Sequence, residues 1–269
     1  GRLVLRHLQK LARWNAGVGQ PPGTLGFSLK KLINFGHVGL MGHSRGGEGM
    51  RAAIAQYRDA GSPWPARIGK VKFEGLFEIG PVDGQTSRIM NAGGMPWNVL
   101  LPGCDGDVFD LEGVKPLDRM MLIGNEGKSH NKSDLQVFGA NHNFYNTEWQ
   151  ESDAPGCDGQ TPLFPQYAGS PAQRTTARIA VRNFFLAHVG GSTHPALAHM
   201  FDPSYPLPAA LAAVTLFTRG FTPTPRTEPS PFGSSATRDH RRSKRSRFIT
   251  LVHAATKSRT NVSLASSLA

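Results

Sequence analysis

The feature that most constrains this chain is a glycine-rich turn set between a short apolar run and a helical pattern. His37-Val38-Gly39-Leu40-Met41 leads at once into Gly42-His43-Ser44-Arg45-Gly46-Gly47, after which Met50, Ala53, Ile54 and Tyr57 recur at helical spacing. This reads as strand, tight turn, helix. Further strands are expected at Val71–Ile79, Trp97–Leu101 and Asp134–Phe138, each closed by glycine- or proline-containing punctuation. Helices are expected at Arg2–Trp14, where Leu5, Leu8, Leu11 and Ala12 share a face, more briefly at Leu25–Ile33, and at Ala172–His188. Strands alternating with helices pair in parallel through right-handed crossovers. The expected fold is therefore α/β, with about four parallel strands flanked by helices.

Composition bounds what surrounds this core. Of 269 residues 39% are hydrophobic, enough to bury a core and too many for a wholly disordered chain. No run approaches the ~18 apolar residues of a membrane span. The net charge of +11 would suggest a polyanion partner, but ten Lys/Arg and only two Asp/Glu lie between Arg219 and Ala269, leaving +3 for residues 1–218. Two regions follow: a body over 1–218 and a basic, Pro/Ser/Thr-rich tail over 219–269, expected to be disordered. Phe248–Ala255 could form a short helix or strand, with no evident partner. No aromatic residue interleaves with the cations between Arg238 and Arg247, so nucleic acid is not expected as a partner. Polyanion binding by the tail stands as the weaker alternative.

The motif Gly42-x-Ser44-x-Gly46 fits a nucleophile elbow, in which a strained turn exposes a serine and the following helix aims its N-terminus at the reaction centre. The pattern alone is weak, and the strand before and helix after it supply the specificity. In that arrangement the Arg45 backbone N–H donates to a developing oxyanion. An activated serine needs a base, and the base an orienting carboxylate, in the chain order Ser, acid, His. Asp105 follows the Trp97–Leu101 strand and His142 follows Asp134–Phe138, so both stand at strand ends. Asp107 and Asp83 are alternative acids. His43 is expected to pack beside the elbow, and His37, His130, His188, His194 and His199 lie where structural or exposed roles are commoner. Asp105, Asp107 and Asp110 alternate as calcium ligands do, but the terminal Glu of an EF-hand loop is missing, and no His-Glu-x-x-His or Cys/His cluster exists. No metal and no cofactor is expected.

Three segments together, Val38–Gly47, Leu100–Val108 and Gly139–Phe144, resemble bacterial α/β-hydrolases. The similarity covers about residues 30–190. It is strongest to secreted esterase- or lipase-like members, in the neighbourhood of the chlorophyllases and the cutinase-like polyester hydrolases. The resemblance implies ester hydrolysis through an acyl-enzyme, with Ser44 as nucleophile, His142 as base and Asp105 as acid, on a small-molecule or lipid-like ester. It also implies an extracellular or periplasmic setting. In such a fold the loops of Cys104 and Cys157 share one rim, so the two residues either bridge or remain as free thiols. The chain departs from the family in two ways. Only about 40 residues precede Ser44, with no strand signal and no second oxyanion loop among them, so the chain is expected to be N-terminally truncated. The basic tail is also foreign to the family pattern; the sequence starts at Gly1, and any secretion signal is expected to have been removed or to lie outside it. The alternative function is therefore a catalytically impaired remnant that binds or does nothing.

Overall fold

A computed structural model describes residues 1–122, 131–149, 151–157, 171–190, 193–212, 215–221 and 249–252. Its centre is a single sheet in the order β1 (Val38–His43), β2 (Phe73–Ile79), β3 (Trp97–Pro102), β4 (Lys132–Val137), β5 (Thr215–Phe221), β6 (Ile249–Val252). β1 to β4 run parallel, as the alternating pattern requires. β5 and β6 continue the sheet antiparallel. The helices are α1 (Arg2–Asn15), α2 (Arg45–Arg58), α3 (Trp64–Ile68), α4 (Val114–Leu122), α5 (Pro171–His188) and α6 (Ala209–Ala212).

The side-chain alternation of the strands divides the core into two layers. Leu40, Leu76, Trp97, Val99 and Leu101 face α1, α2, α3 and α4, joining Leu5, Leu8, Ala53, Ile54 and Leu117. Phe77, Ile79, Leu100, Leu135 and Val137 face the other way, onto Ala177, Ala180 and Phe184 of α5. Phe184 meets Phe77 edge-on, with ring centroids 5.5 Å apart. This close approach depends on two glycines: a Cβ at Gly39 would lie 2.5 Å from Phe185, and one at Gly75 2.9 Å from Phe184. With both faces covered, the strands read as apolar runs, and the parallel sheet is buried.

Two expectations are corrected. Leu25–Ile33 is not a helix: a single 3₁₀ turn at Gly23–Leu25 ends at Gly26, whose φ of 71° is left-handed, and irregular turns follow. Glycines and prolines from Gly17 to Gly26 supply breakers that outweigh the helical spacing beyond them. The sheet also extends past its four parallel strands. β5 straddles the expected boundary at 218/219, and β6 lies inside the expected tail, pairing Ile249–Val252 with Phe217–Gly220. An antiparallel neighbour needs no crossover helix, so it leaves no alternating signature in the sequence. The basic run Arg238–Arg247 lies outside the described residues. Among the described residues no helix is long and apolar enough to cross a membrane.

Candidate active site

Ser44 sits between β1 and α2 with φ 57° and ψ −130°, a backbone conformation that non-glycine residues rarely hold and that costs about 1–3 kcal/mol. The turn is tied down at both ends: the Ser44 N–H donates to the Ile79 carbonyl of β2 at 2.9 Å, and the Gly47 N–H to the Ser44 carbonyl at 2.9 Å. A Cβ at Gly42 would come within 2.3 Å of the Gly46 carbonyl oxygen, and one at Gly47 within 2.5 Å of Pro81. Gly46 meets nothing within 4 Å. The small residues this elbow needs are thus Gly42 and Gly47 rather than the Gly46 of the motif. Arg45 opens α2, so its N–H is one of the helix-start donors without a helical acceptor.

Asp105 lies three residues past β3 and His142 five past β4. His142 Nδ1–H donates to Asp105 Oδ2 at 2.8 Å, and both side chains are fully buried. Asp105 Oδ1 accepts from the N–H groups of Asp107 at 3.1 Å and Val108 at 2.6 Å. One carboxylate oxygen is therefore fixed by the backbone while the other orients the imidazole. Among the described residues His142 Nε2 is buried and makes no hydrogen bond, so the serine–histidine bond is not formed. Such bonds are commonly long without substrate. The imidazole is nevertheless beside the elbow: its ring lies 4.4 Å from that of His43, the residue before Ser44.

Each alternative acid has a distinct position. Asp107 is 63% exposed, and its Oδ2 stands 3.5 Å from Nε2, on the opposite edge of the ring from Asp105. Asp83 is committed elsewhere. Both its oxygens take Arg119, and Oδ1 also takes Arg51 Nη1 at 2.6 Å, in a network where Arg51 Nε meets the fully buried Glu78 at 2.9 Å. Burial drives the Glu78 carboxyl up, and Arg51 only partly offsets it. Asp110 pairs with Lys115, and no group of three His, Cys, Asp or Glu is arranged around a metal position among the described residues.

Burial pulls the His142 pKa down, but the hydrogen bond and charge of Asp105, with the charges of Asp107 and Asp153, outweigh it and hold the ring above 6.5. His43 goes the other way. Burial first, then the neighbouring His142, push it down to about 4, so it is a neutral plank at pH 7. His37 pairs with Glu74, His188 packs against Phe184 and Phe201, and His199 stacks on Tyr205. His130 lies outside the described residues.

Several residues that hold the pair in place carry no sequence signature. Asp153 accepts three backbone N–H groups: Gly106 at 2.7 Å and His142 at 3.2 Å on Oδ2, and Asn143 at 2.9 Å on Oδ1. It thereby ties the acid loop to the base loop. At the same point a Cβ on Gly106 would lie 1.8 Å from the Asp153 carbonyl oxygen, so the two backbones touch. Cys104 and Cys157 form a disulfide across these loops. Gln173 of α5 brackets Asn141 with two bonds, accepting its N–H at 3.1 Å and donating to its carbonyl at 2.7 Å. Gly80, at φ 45°, forms the floor: a Cβ there would lie 3.0 Å from both Asp105 Oδ2 and His142 Nδ1. Of these features, the sequence hinted only at the Cys104–Cys157 bridge and, through the Gly80-Pro81 punctuation after β2, at this turn.

A cavity of about 540 Å³ opens between α1 and α3, lined by Arg2, Arg6, Trp64 and Arg67 among others. It includes none of Ser44, Asp105 or His142, so side-chain chemistry locates the candidate site and cavity size does not. Neither a scan against protein-family models nor a search of curated proteins finds a match to this chain.

Proposed function

We propose that this chain is a serine hydrolase of the α/β-hydrolase type, cleaving carboxylic esters through an acyl-enzyme. One observation carries the reading: a fully buried imidazole whose Nδ1 is fixed by a buried carboxylate and whose Nε2 makes no hydrogen bond among the described residues, with the exposed Asp107 carboxylate 3.5 Å away, beside a serine on a strained strand-to-helix turn. Buried polar nitrogens are usually hydrogen-bonded and costly when they are not; His43 Nε2, packed against this ring, is in the same state among the described residues, and what sets His142 apart is the buried carboxylate on its Nδ1.

The chemistry follows from these positions. Nε2 takes the Ser44 proton as Oγ attacks the ester carbonyl, and Asp105 stabilises the resulting imidazolium without itself being protonated. The Arg45 N–H and the dipole of α2 receive the developing oxyanion. The imidazolium returns its proton to the leaving alkoxide, and water then repeats the sequence on the acyl-Ser44 ester. No cofactor enters any step.

The impaired-remnant reading is favoured by a specific observation: among the described residues β1, which carries the nucleophile, stands at the edge of the sheet. A single oxyanion donor at Arg45 would leave turnover about 10²–10³-fold below that of a two-donor site. Hydrolysis of 4-nitrophenyl butyrate by the wild-type chain and by Ser44→Ala and His142→Ala separates the two. Turnover that depends on both residues supports the hydrolase, and a folded wild-type chain no faster than Ser44→Ala supports the remnant.

A further inference from the structure

Positive charge in the body of this protein is segregated. Residues 1–47 contain seven Lys/Arg and no Asp/Glu, whereas 48–218 contain thirteen Lys/Arg against seventeen Asp/Glu. Within the basic segment Arg2, Arg6, Lys10 and Arg13 recur on α1 at spacings of four, four and three, one exposed stripe about 16 Å long. Leu5 and Leu8 bury the opposite side of the helix. Like charges at this spacing repel, and the first turn has no acidic residue to meet the helix dipole. Arg67 of α3 adds a fifth cation. Two adjoining hollows gather them: the cavity of about 540 Å³ takes Arg2, Arg6 and Arg67, and one of about 480 Å³ takes Arg6, Lys10, Arg13 and Arg67. Arg6 and Arg67 thus stand where the hollows meet. Among the described residues none of the five cations pairs with a carboxylate. Asp59, the only carboxylate among the described lining residues, gives both its oxygens to Arg88, at 2.7 and 2.9 Å.

We infer that this groove between α1 and α3 binds a linear oligophosphate, with phosphates seated in both hollows at once. Uncompensated charge selects an anion, since a neutral or cationic ligand would leave five cations facing one another. Guanidinium forks fit tetrahedral oxyanions bidentately, and four of the five cations are arginines. A phosphate monoester carries about −1.5 to −2 at pH 7, so two or three linked phosphates balance the groove and a dicarboxylate does not. Each hollow has at least three cations, which favours linked groups over a single phosphate. The groove offers no free aromatic face for a base to stack on: Trp64 is buried under Arg67, 5.4 Å from its ring, and Lys10 lies over Trp14 at 5.9 Å. Phosphates are therefore what it reads. The site includes none of Ser44, Asp105 or His142, and the inference holds whether or not the chain is a hydrolase.

Isothermal titration calorimetry of the full chain with tripolyphosphate and with orthophosphate, at low salt, tests the site. Tripolyphosphate reaches both hollows and should bind at least about tenfold more tightly than orthophosphate. Each exposed guanidinium–phosphate pair contributes about 2- to 5-fold, so the double variant Arg6→Gln, Arg67→Gln should weaken tripolyphosphate about 4- to 25-fold. Arg241→Gln with Arg242→Gln removes the same charge from the basic run near the C-terminus and should leave the affinity within about twofold of wild type. Equal affinity for the two phosphates, an unchanged groove variant, or a tail variant that loses as much as the groove variant overturns the inference. A short oligothymidylate with the same number of phosphates should bind no more tightly than tripolyphosphate. Tighter binding that depends on Arg6 and Arg67 would give the groove to nucleic acid instead. Amide shifts of the wild-type chain titrated with tripolyphosphate locate the ligand without any variant. They should centre on Arg2–Arg13 and on residues 62–69, and shifts confined elsewhere reject the groove.

Discussion

Replacing Asp153 with alanine deletes the acceptor for three backbone N–H groups, from Gly106, His142 and Asn143. A hydrogen bond to a charged group contributes about 1.5–3 kcal/mol net, but Asp153 is half-buried and water reaches part of what is vacated. The three bonds also share one side chain, so their losses do not add in full. A destabilisation of about 3 kcal/mol is expected, or about 6–12 °C in Tm for a protein of this size. The catalytic loss comes from freeing the His142 backbone: a displacement of about 1 Å at the base costs on the order of 10²-fold. Because Asp105 and the disulfide still hold the pair, a 10- to 100-fold fall in kcat with little change in KM is expected for Asp153→Ala. Asp153→Asn is the informative partner. Its one remaining oxygen can face Gly106 and His142, losing only the Asn143 bond, so it should cost about 1 kcal/mol and leave kcat within about threefold of wild type. Thermal melts and nitrophenyl butyrate kinetics on both variants check this. An Asp153→Ala protein that melts and turns over like wild type, or an Asn variant as impaired as the Ala variant, refutes the clamp.

Gly80→Ala should cost about 1–2 kcal/mol for its left-handed φ and at least tenfold in kcat, because the new methyl presses on both Asp105 and His142; wild-type kcat in that variant contradicts the packing. Replacing Cys104 and Cys157 together by alanine removes a link across 53 positions, worth up to about 4 kcal/mol by loop entropy, and a urea midpoint equal to wild type would contradict it. Activity requires neutral His142, so kcat/KM should fall as pH drops through a value above 6.5. Asp107→Asn should move that limb to lower pH, and an unmoved limb would mean that Asp107 does not act on the ring. The same raised pKa gives the protonated His142–Asp105 pair a stabilising role that is full below 6.5 and lost as pH rises through the ring's folded value.

The parallel frame was legible because its signals are local. β1, β2, β3 and β4 each begin and end within about two residues of their expected spans, and α1 and α5 within one. Asp105 and His142 were legible because strand ends in a parallel sheet converge on one side, and chain order does the rest. Less local features were misread. The helical spacing of Leu25–Ile33 lost to its flanking glycines, and the seven residues of β5 were cut by a boundary drawn from charge. Asp153, Gln173 and Trp149 carry no periodic signal at all. They matter because tertiary contacts bring a loop onto His142 from 7 and 11 positions away and a helix onto its neighbour Asn141 from 32 positions away. The demand for glycine was assigned to Gly46 by the motif, whereas the close approach of Pro81 puts it on Gly47.

The central claim is that a proton passes from one hydroxyl to a ring held ready for it, and active-site titration reads this most directly. Incubated with diethyl 4-nitrophenyl phosphate, the wild-type chain should gain one diethylphosphoryl group, located by peptide mass spectrometry on Ser44, at a rate cut by orders of magnitude in His142→Ala. Modification elsewhere, or labelling of Ser44 at the same rate with and without the imidazole, would contradict the account.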